Sequence, residues 1–362
     1  MRRPKLVHFT GIESDEYIHI RASMTYSSQG RFEILDEINQ NLKDIVPTKP
    51  IQSMGLLSSN EFRLKVVGLS SDDKEVTIRS FDSDSFGNFN FKIPQPEAMN
   101  VAKLRLYETK THPGLDLLIG SFIPTTIQKP KKILITDFDK TLVDTRYSSM
   151  KELYLSLRNP IQYFPPVDHS IDIVKDLIKE DYQPFVVSAS PHFYENAIRD
   201  WLYARQIFTG NIFLKDYRNI FSFFEGDLST KDLRSQGFYK LNTIVNILLM
   251  TGIPSELVLI GDGFESDTLI YLTLAAVLVG RYDPWTLWNN IKREESFKLT
   301  NQQHFRFLSK FYQLKNMSDA QPKGKLKIYI RCKPHMLESL QNRVFNLDFA
   351  NNLKHLVTYY VG

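Results

Sequence analysis

Ile135-Thr136-Asp137-Phe138-Asp139-Lys140-Thr141-Leu142-Val143-Asp144-Thr145 is the stretch that decides how this chain reads. Two aspartates, Asp137 and Asp139, stand two apart at the end of the apolar run Ile133-Leu134-Ile135, and Thr141 follows. A short apolar run ending in carboxylates predicts a buried parallel strand. Such a strand delivers polar groups to its C-terminal edge, where open α/β sheets bind ligands. Asp137 can attack phosphorus, and Asp139 can protonate a leaving oxygen. One magnesium ion between them can quench their repulsion. The pattern predicts phosphoryl transfer.

Two later segments bear on this reading. Phe185-Val186-Val187 predicts a second buried strand, with Ser188 at its end. Pro191 then predicts a helix start with Ser190 as N-cap. A hydroxyl and free backbone N–H groups at such a junction suit an anion. Leu257–Ile260 predicts a third strand. It ends in Gly261-Asp262-Gly263, and Asp267 follows. Glycine lets the backbone turn where a ligand approaches. Between these segments, Lys240 opens an apolar-periodic helix and can reach the sheet edge.

Taken singly, each piece has an ordinary explanation. A DxD is common in loops, Ser188 suits a cap, Lys240 suits solvent, and Gly-Asp-Gly suits a turn. Their order along the chain favours the functional reading: strand-DxDxT, strand-Ser, Lys-helix, strand-GDxxxxD.

In that order, the four motifs are similar to those of the haloacid-dehalogenase-like phosphatases. SASPHFY at 188–194, FLKDY at 213–217, GDGFESDTLIY at 261–271 and KIYIR at 327–331 further resemble the catalytic domain of the actin-patch-associated phosphatidate phosphatase family. The resemblance covers about 131–275 and resumes near 326–331. Four positions depart from it. Lys140 replaces the aspartate of DxDDT, and Ala189 stands where asparagine is frequent. Gly263 replaces a serine, and Cys332 replaces the aspartate after IYIR.

The resemblance implies a doubly wound α/β catalytic domain and a magnesium-dependent phosphatase. It makes Asp137 the nucleophile that forms an aspartyl-phosphate. Asp139 becomes the general acid, then the base. Ser188 and Lys240 hold phosphoryl oxygens. Mg2+, which prefers hard oxygen ligands, would be held by the Asp137 carboxylate, the Asp139 main-chain carbonyl and Asp262. Thr141 braces the loop, and Asp267 orients Lys240 or a water. Lys215, from its place in FLKDY, is a candidate contact to a headgroup or phosphate; the alternative is a surface lysine beside a strand. His192 either lines the pocket or is a surface histidine. The implied substrate is a phospholipid such as phosphatidate. The rivals are a soluble or protein-borne phosphoester, and a non-catalytic membrane- or protein-binding module.

Spacing bears on the substrate. Thr141 and Ser188 are 47 positions apart, and Ser188 and Lys240 are 52. Neither interval holds a large cap domain, which favours a bulky substrate. Upstream, FRLKVV, EVTIRS, FNFKI, KLRLYE and LDLLIG between 60 and 122 predict an antiparallel β-sandwich. The expected division is 1–128 for this mostly β domain, with one helix near 31–45, and 129–362 for the phosphatase domain. PTTIQKPK at 124–131 is the expected linker. Residues 281–322 read as an insertion carrying Phe305, Leu308, Phe311, Tyr312 and Leu314 at near-helical spacing. It is either a helix packed on the catalytic sheet or, with Arg306, Lys310 and Lys315, an element for a membrane surface. MLESLQNRVFNLDFANNL predicts a helix in the tail.

Composition sets outer limits. The 42% hydrophobic and 24% charged content is that of a folded globular chain. A formal charge of +4 is only mildly basic, and no nucleic-acid-binding signature is present. Lys323, Lys325, Lys327, Arg331 and Lys333 read as a basic patch or a solvated strand edge. The single cysteine, Cys332, excludes an internal disulfide framework and fits a reducing, cytoplasmic location. No signal peptide is expected in MRRPKLVHFTGIESDEY. No 18-residue apolar run is present to span a membrane, so any membrane contact is expected to be peripheral.

Overall fold

The computed structural model describes residues 3–27, 60–72, 74–95, 101–145, 161–216, 236–297 and 301–361. The expected helix at 31–45 lies outside them, as do 146–160 and 217–235 within the two intervals weighed for a cap.

Alternating apolar residues build two antiparallel sheets in the first part of the chain. β1 (Arg3–Glu13), β2 (Tyr17–Ser27) and β5 (Asn88–Pro94) form one, with β8 (Thr125–Thr126) added parallel to β1. β3 (Arg63–Ser70), β4 (Glu75–Asp82), β6 (Val101–Glu108) and β7 (Leu117–Phe122) form the other. Ile18, Ile20 and Met24 of β2 meet Leu64, Val66, Leu104 and Leu106 of the facing sheet in one core, a sandwich packing. The reading of strands from about 60 onward missed β1 and β2. The expected linker is not free chain either. Its Thr125 and Thr126 pair with Ile12 and Glu13, and its Ile127 is buried.

The remainder is a six-stranded parallel sheet of β9 (Lys132–Thr136), β10 (Gln183–Pro191), β11 (Ile212–Lys215), β12 (Glu256–Asp262), β13 (Lys325–Arg331) and β14 (Val357–Tyr360). The order is β11-β10-β9-β12-β13-β14, and every pair is parallel. Period-two alternation splits its side chains. Ile133, Ile135, Phe185, Val187, Leu257 and Leu259 face one side, and Leu134, Val186, Val258 and Ile260 the other. Both faces are covered, which is why these strands read as unbroken apolar runs. α1 (Asp168–Lys179) and α2 (Glu195–Ala204) cover the second face. α3 (Gln236–Thr251) and α4 (Asp267–Leu278) cover the first. Each fully buried aliphatic side chain contributes roughly 1.5–3 kcal/mol, so the central strands β9 and β12 anchor the loops that follow them.

The insertion forms α5 (Pro284–Ile291) and α6 (Asn301–Asp319). α6 buries Phe307, Leu308, Phe311 and Leu314 in the first-face core, so it packs as a structural helix. Phe305 is 70% exposed and Tyr312 39%, which removes both from the apolar stripe expected there. The buried position is Phe307, one turn before Phe311. The tail holds two helices rather than one, α7 (Pro334–Phe345) and α8 (Asp348–Asn352). It then adds β14, a strand too short to announce itself. Among the described residues, no helix is long and apolar enough to cross a membrane.

The start of α2 also differs from expectation. β10 continues through Pro191, a 3-10 turn spans His192–Tyr194, and α2 begins at Glu195 without a side-chain cap. Ser190 is therefore not an N-cap, and its hydroxyl is directed elsewhere. Glu195 is buried and bonded by His8 of β1 and Arg199, which ties the sandwich to this helix.

Candidate active site

β9, β10 and β12 end side by side, so Asp137, Ser188 and Asp262 meet at one sheet edge. Asp137 is 1% exposed; its N–H donates to Ile260 O, which docks the DxD loop onto β12. Thr141 Oγ1 donates to Asp137 Oδ2 at 3.1 Å. Lys140 takes a positive φ of 59° between the two functional positions, a left-handed turn that aims its side chain across the site. Its ammonium bonds Glu265 Oε1 at 3.0 Å.

Lys240 reaches the same point from the second turn of α3. Its Nζ lies 2.7 Å from Asp267 Oδ1, 3.1 Å from Asp137 Oδ1 and 3.5 Å from Glu265 Oε2. Although Lys240 is 3.1 Å away, the direction of approach leaves Asp137 Oδ1 without a hydrogen bond. Asp267 sits at the first position of α4, and its Oδ2 accepts the Asp262 N–H at 3.2 Å. Gly261 permits this contact, since a Cβ there would stand 2.5 Å from Asp267 Oδ2. A cavity of about 200 Å3, lined in part by Gly237, Lys240, Glu265 and Asp267, adjoins the pair.

Asp139 turns away from this group. Its Oδ2 accepts from Ser188 Oγ at 2.9 Å and also from Ser190 Oγ. Ser188 Oγ in turn accepts the Ser190 N–H at 3.0 Å. The site therefore separates two carboxylates by partner: Asp137 faces cation and acids, and Asp139 faces hydroxyls.

Asp137, Asp262 and Asp267 each offer a carboxylate oxygen, all within 4.8 Å of one another. Asp262 Oδ1 accepts the Phe264 and Glu265 N–H groups at 2.6 and 2.8 Å, while its buried Oδ2 has no hydrogen bond. Burial and the neighbouring Glu265 and Asp267 push the Asp262 carboxyl up to about 8. Burial also raises Asp137 well above the usual range, against the pull of Lys240. Burial alone would lower the Lys240 ammonium, but the surrounding carboxylates outweigh it and raise it. Orphaned oxygens and mutual repulsion fit a hard divalent cation such as Mg2+. The Asp139 carboxylate lies outside this trio.

Lys215 and His192 are buried, at 8% and 3% exposure, so neither is a surface side chain. His192 Nδ1 lies 3.3 Å from Asp216 Oδ1, and Asp216 Oδ2 accepts from Asn88 Nδ2 at 2.9 Å. Through Asp216, His192 belongs to a junction with the sandwich. Arg331, read as part of a basic patch, is buried. It donates to Lys140 O at 2.6 Å and to Asp144 Oδ1 at 3.1 Å, clamping the DxD loop.

Sequence reading gave Glu265 no role and assigned Ser190 and Arg331 other ones. Glu265 stands inside GDGFESD, between two acids that were read, and its partners come from distant segments. The departure at Gly263 has a packing cause. A Cβ there would stand 2.7 Å from Leu340 Cδ2 of α7.

Residues 132–282 match the family model described as phosphatidate phosphatase APP1, catalytic domain. This is the family that the motifs resemble, and the match spans less than half of the chain. No curated protein matches the chain. Solved structures overlap it only loosely. A beta-glucuronidase of Bacteroides uniformis is 10% identical with a TM-score of 0.23, over 93% of this chain and 34% of its own. The chain thus spans about a third of that enzyme. A carbohydrate esterase is also 10% identical with a TM-score of 0.23, over 99% and 88%. Overlap this loose carries no argument about fold or activity.

Proposed function

We propose that the chain is a magnesium-dependent phosphatase of the haloacid-dehalogenase-like type, with phosphatidate as its favoured substrate. The observation that carries the reading is the buried Lys240 ammonium, 3.1 Å from Asp137 Oδ1 in a segment that matches the phosphatase family. A buried cation beside a buried nucleophile is arranged for an incoming phosphoryl group.

In this reading Asp137 attacks phosphorus and becomes an aspartyl-phosphate, while the ester oxygen leaves with a proton from Asp139. Asp139 then takes a proton from the water that attacks the phosphoryl group, which releases phosphate and restores Asp137. Ser188 and Ser190 both donate to Asp139, so Ser190 can hold it while Ser188 turns to a phosphoryl oxygen. Lys240 holds a second oxygen, and Asp267 keeps Lys240 in place. Asp137, Asp262 and Asp267 would hold Mg2+, which when bound neutralises charge on the phosphoryl group and the acids around it.

The family match and the short intervals around Ser188 support a phospholipid, giving diacylglycerol and phosphate. A division near residue 128, with the sandwich upstream, goes with this reading. Phe305, exposed beside Arg306 on α6, is a candidate point of peripheral membrane contact. The same mechanism on a soluble or protein-borne phosphoester is favoured by one observation: Lys140, where the family has an acid, adds a cation bonded to Glu265 at the site.

The test is phosphate release from phosphatidate in mixed micelles and from p-nitrophenyl phosphate, with magnesium. Turnover on phosphatidate alone supports the lipid reading. Turnover on the soluble ester alone moves the substrate and keeps the chemistry. Silence on both, with folded protein, counts against a phosphatase.

A further inference from the structure

A second group of cations converges on α3, about 100° round the helix from Lys240. Tyr239, Asn242 and Thr243 stand at i, i+3 and i+4, so they share one face of this helix. Lys310 of α6 reaches that face, with its Nζ 3.2 Å from Asn242 Oδ1. Arg21 of β2 reaches it from the sandwich. Its guanidinium lies over the Phe213 ring at 5.4 Å and within electrostatic reach of Tyr239. The Tyr239 hydroxyl is bonded by Thr243.

The two cations lack an anion. Among the described residues, neither Arg21 nor Lys310 has a carboxylate partner, and Lys310 meets the like charge of Arg21. Burial lowers both, and the Arg21 charge lowers Lys310 further. The acid whose charge acts on Tyr239 is Asp216, which is engaged by Asn88 and His192. Two half-buried, mutually repelling cations destabilise a fold unless an anion joins them. Both remain partly exposed, so an anion from solvent can arrive. Arginine offers a planar fork and lysine a point charge, together with amide and phenol groups at one spot. That set matches the oxygens of a phosphate group.

We propose that Arg21 and Lys310, with Asn242 and Tyr239, form a second anion site that takes a phosphate group, either on a lipid headgroup or on a soluble molecule. The site needs the sandwich, the α6 insertion and α3 at once, so it gives the sandwich and the insertion a shared role. It stands apart from Asp137, Asp262 and Asp267 and does not rest on the hydrolytic reading.

The experiment uses the full chain in EDTA, so that no metal draws phosphate to the carboxylate centre. Inorganic phosphate is titrated at constant ionic strength against chloride, with binding read by calorimetry and melting temperature. Saturable binding is expected in the wild type. Arg21→Gln and Lys310→Gln should each weaken it at least tenfold without lowering the melting temperature in phosphate-free buffer. Lys310→Arg should retain it. Co-sedimentation with phosphatidylcholine vesicles, with and without phosphatidylglycerol, separates the sources. Loss of anionic-vesicle binding in the same variants assigns a lipid headgroup. Loss of phosphate binding with no change on vesicles assigns a soluble ligand. The proposal is overturned if the wild type binds no phosphate in EDTA, or if both glutamine variants bind it as the wild type does.

Discussion

The Lys240 ammonium lies 3.1 Å from Asp137 Oδ1, and both side chains are buried. One joins the sheet edge from β9 and the other from α3, so the contact joins a strand end to the second turn of a helix. Lys240 is also the only described cation within ion-pair distance of Asp137 and Asp267 together. Losing one partner of a buried ion pair typically costs about 3–5 kcal/mol.

Lys240→Met is therefore expected to lower the melting temperature and to reduce turnover by about 100-fold or more, the scale of losing one charge-stabilising donor. Thermal melts and phosphate-release kinetics measure the two losses. Unchanged turnover in a folded variant would remove Lys240 from the phosphoryl site.

Removing the Ser190 hydroxyl takes away one of the two serine hydroxyls that donate to Asp139 Oδ2 and leaves the Ser188 bond in place. A hydrogen bond to a charged group contributes about 1.5–3 kcal/mol. Ser190→Ala should lower kcat by roughly tenfold or more, since 1.36 kcal/mol is tenfold in rate, with KM little changed. A change confined to KM would instead place Ser190 in substrate binding.

The raised Asp262 carboxyl makes stability depend on pH. Its folded value of about 8 lies above the ordinary aspartate value, so the folded state holds more protons than the unfolded state between them. In EDTA, stability from this group is present below about pH 4 and is lost as pH rises through about 8. Magnesium should relieve the repulsion where the acids are charged. Saturating Mg2+ is expected to raise the melting temperature more at pH 8 than at pH 5. An equal gain at both, or none, would contradict a metal role for the trio.

Gly263 and Leu340 should be coupled. Gly263→Ser places a Cβ against Leu340 Cδ2 and is expected to cost about 1–3 kcal/mol as overpacking. In a Leu340→Ala background the same serine should cost measurably less. Additive losses in denaturant melts would show that the contact is not what excludes a side chain at this position.

Much of the site was legible because strand ends carry their own spacing. Asp137, Ser188 and Asp262 each follow an apolar run of a buried strand, and the parallel sheet brings those ends together. Lys240 was legible only through its order among the motifs, since nothing local marks a buried lysine. Glu265 and Arg331 were not legible in the same way. Their partners, Lys140 and Asp144, lie over a hundred residues away, and charged residues usually mean solvent. Ser190 was misassigned because Ser-Pro suggests a helix cap, and tertiary contact with Asp139 prevailed. In the sandwich, β1 hid because a register shift between Leu6 and His8 interrupts its alternation. β14 hid because four residues, Val-Thr-Tyr-Tyr, carry too little pattern.

The central claim is that Asp137 takes the phosphoryl group. The direct measurement is phosphate release with magnesium by the wild type and Asp137→Asn, on phosphatidate in mixed micelles and on p-nitrophenyl phosphate, with melting temperatures recorded alongside. The account predicts that the wild type turns over and that the variant, still folded, does not. A folded Asp137→Asn protein with wild-type turnover would contradict it.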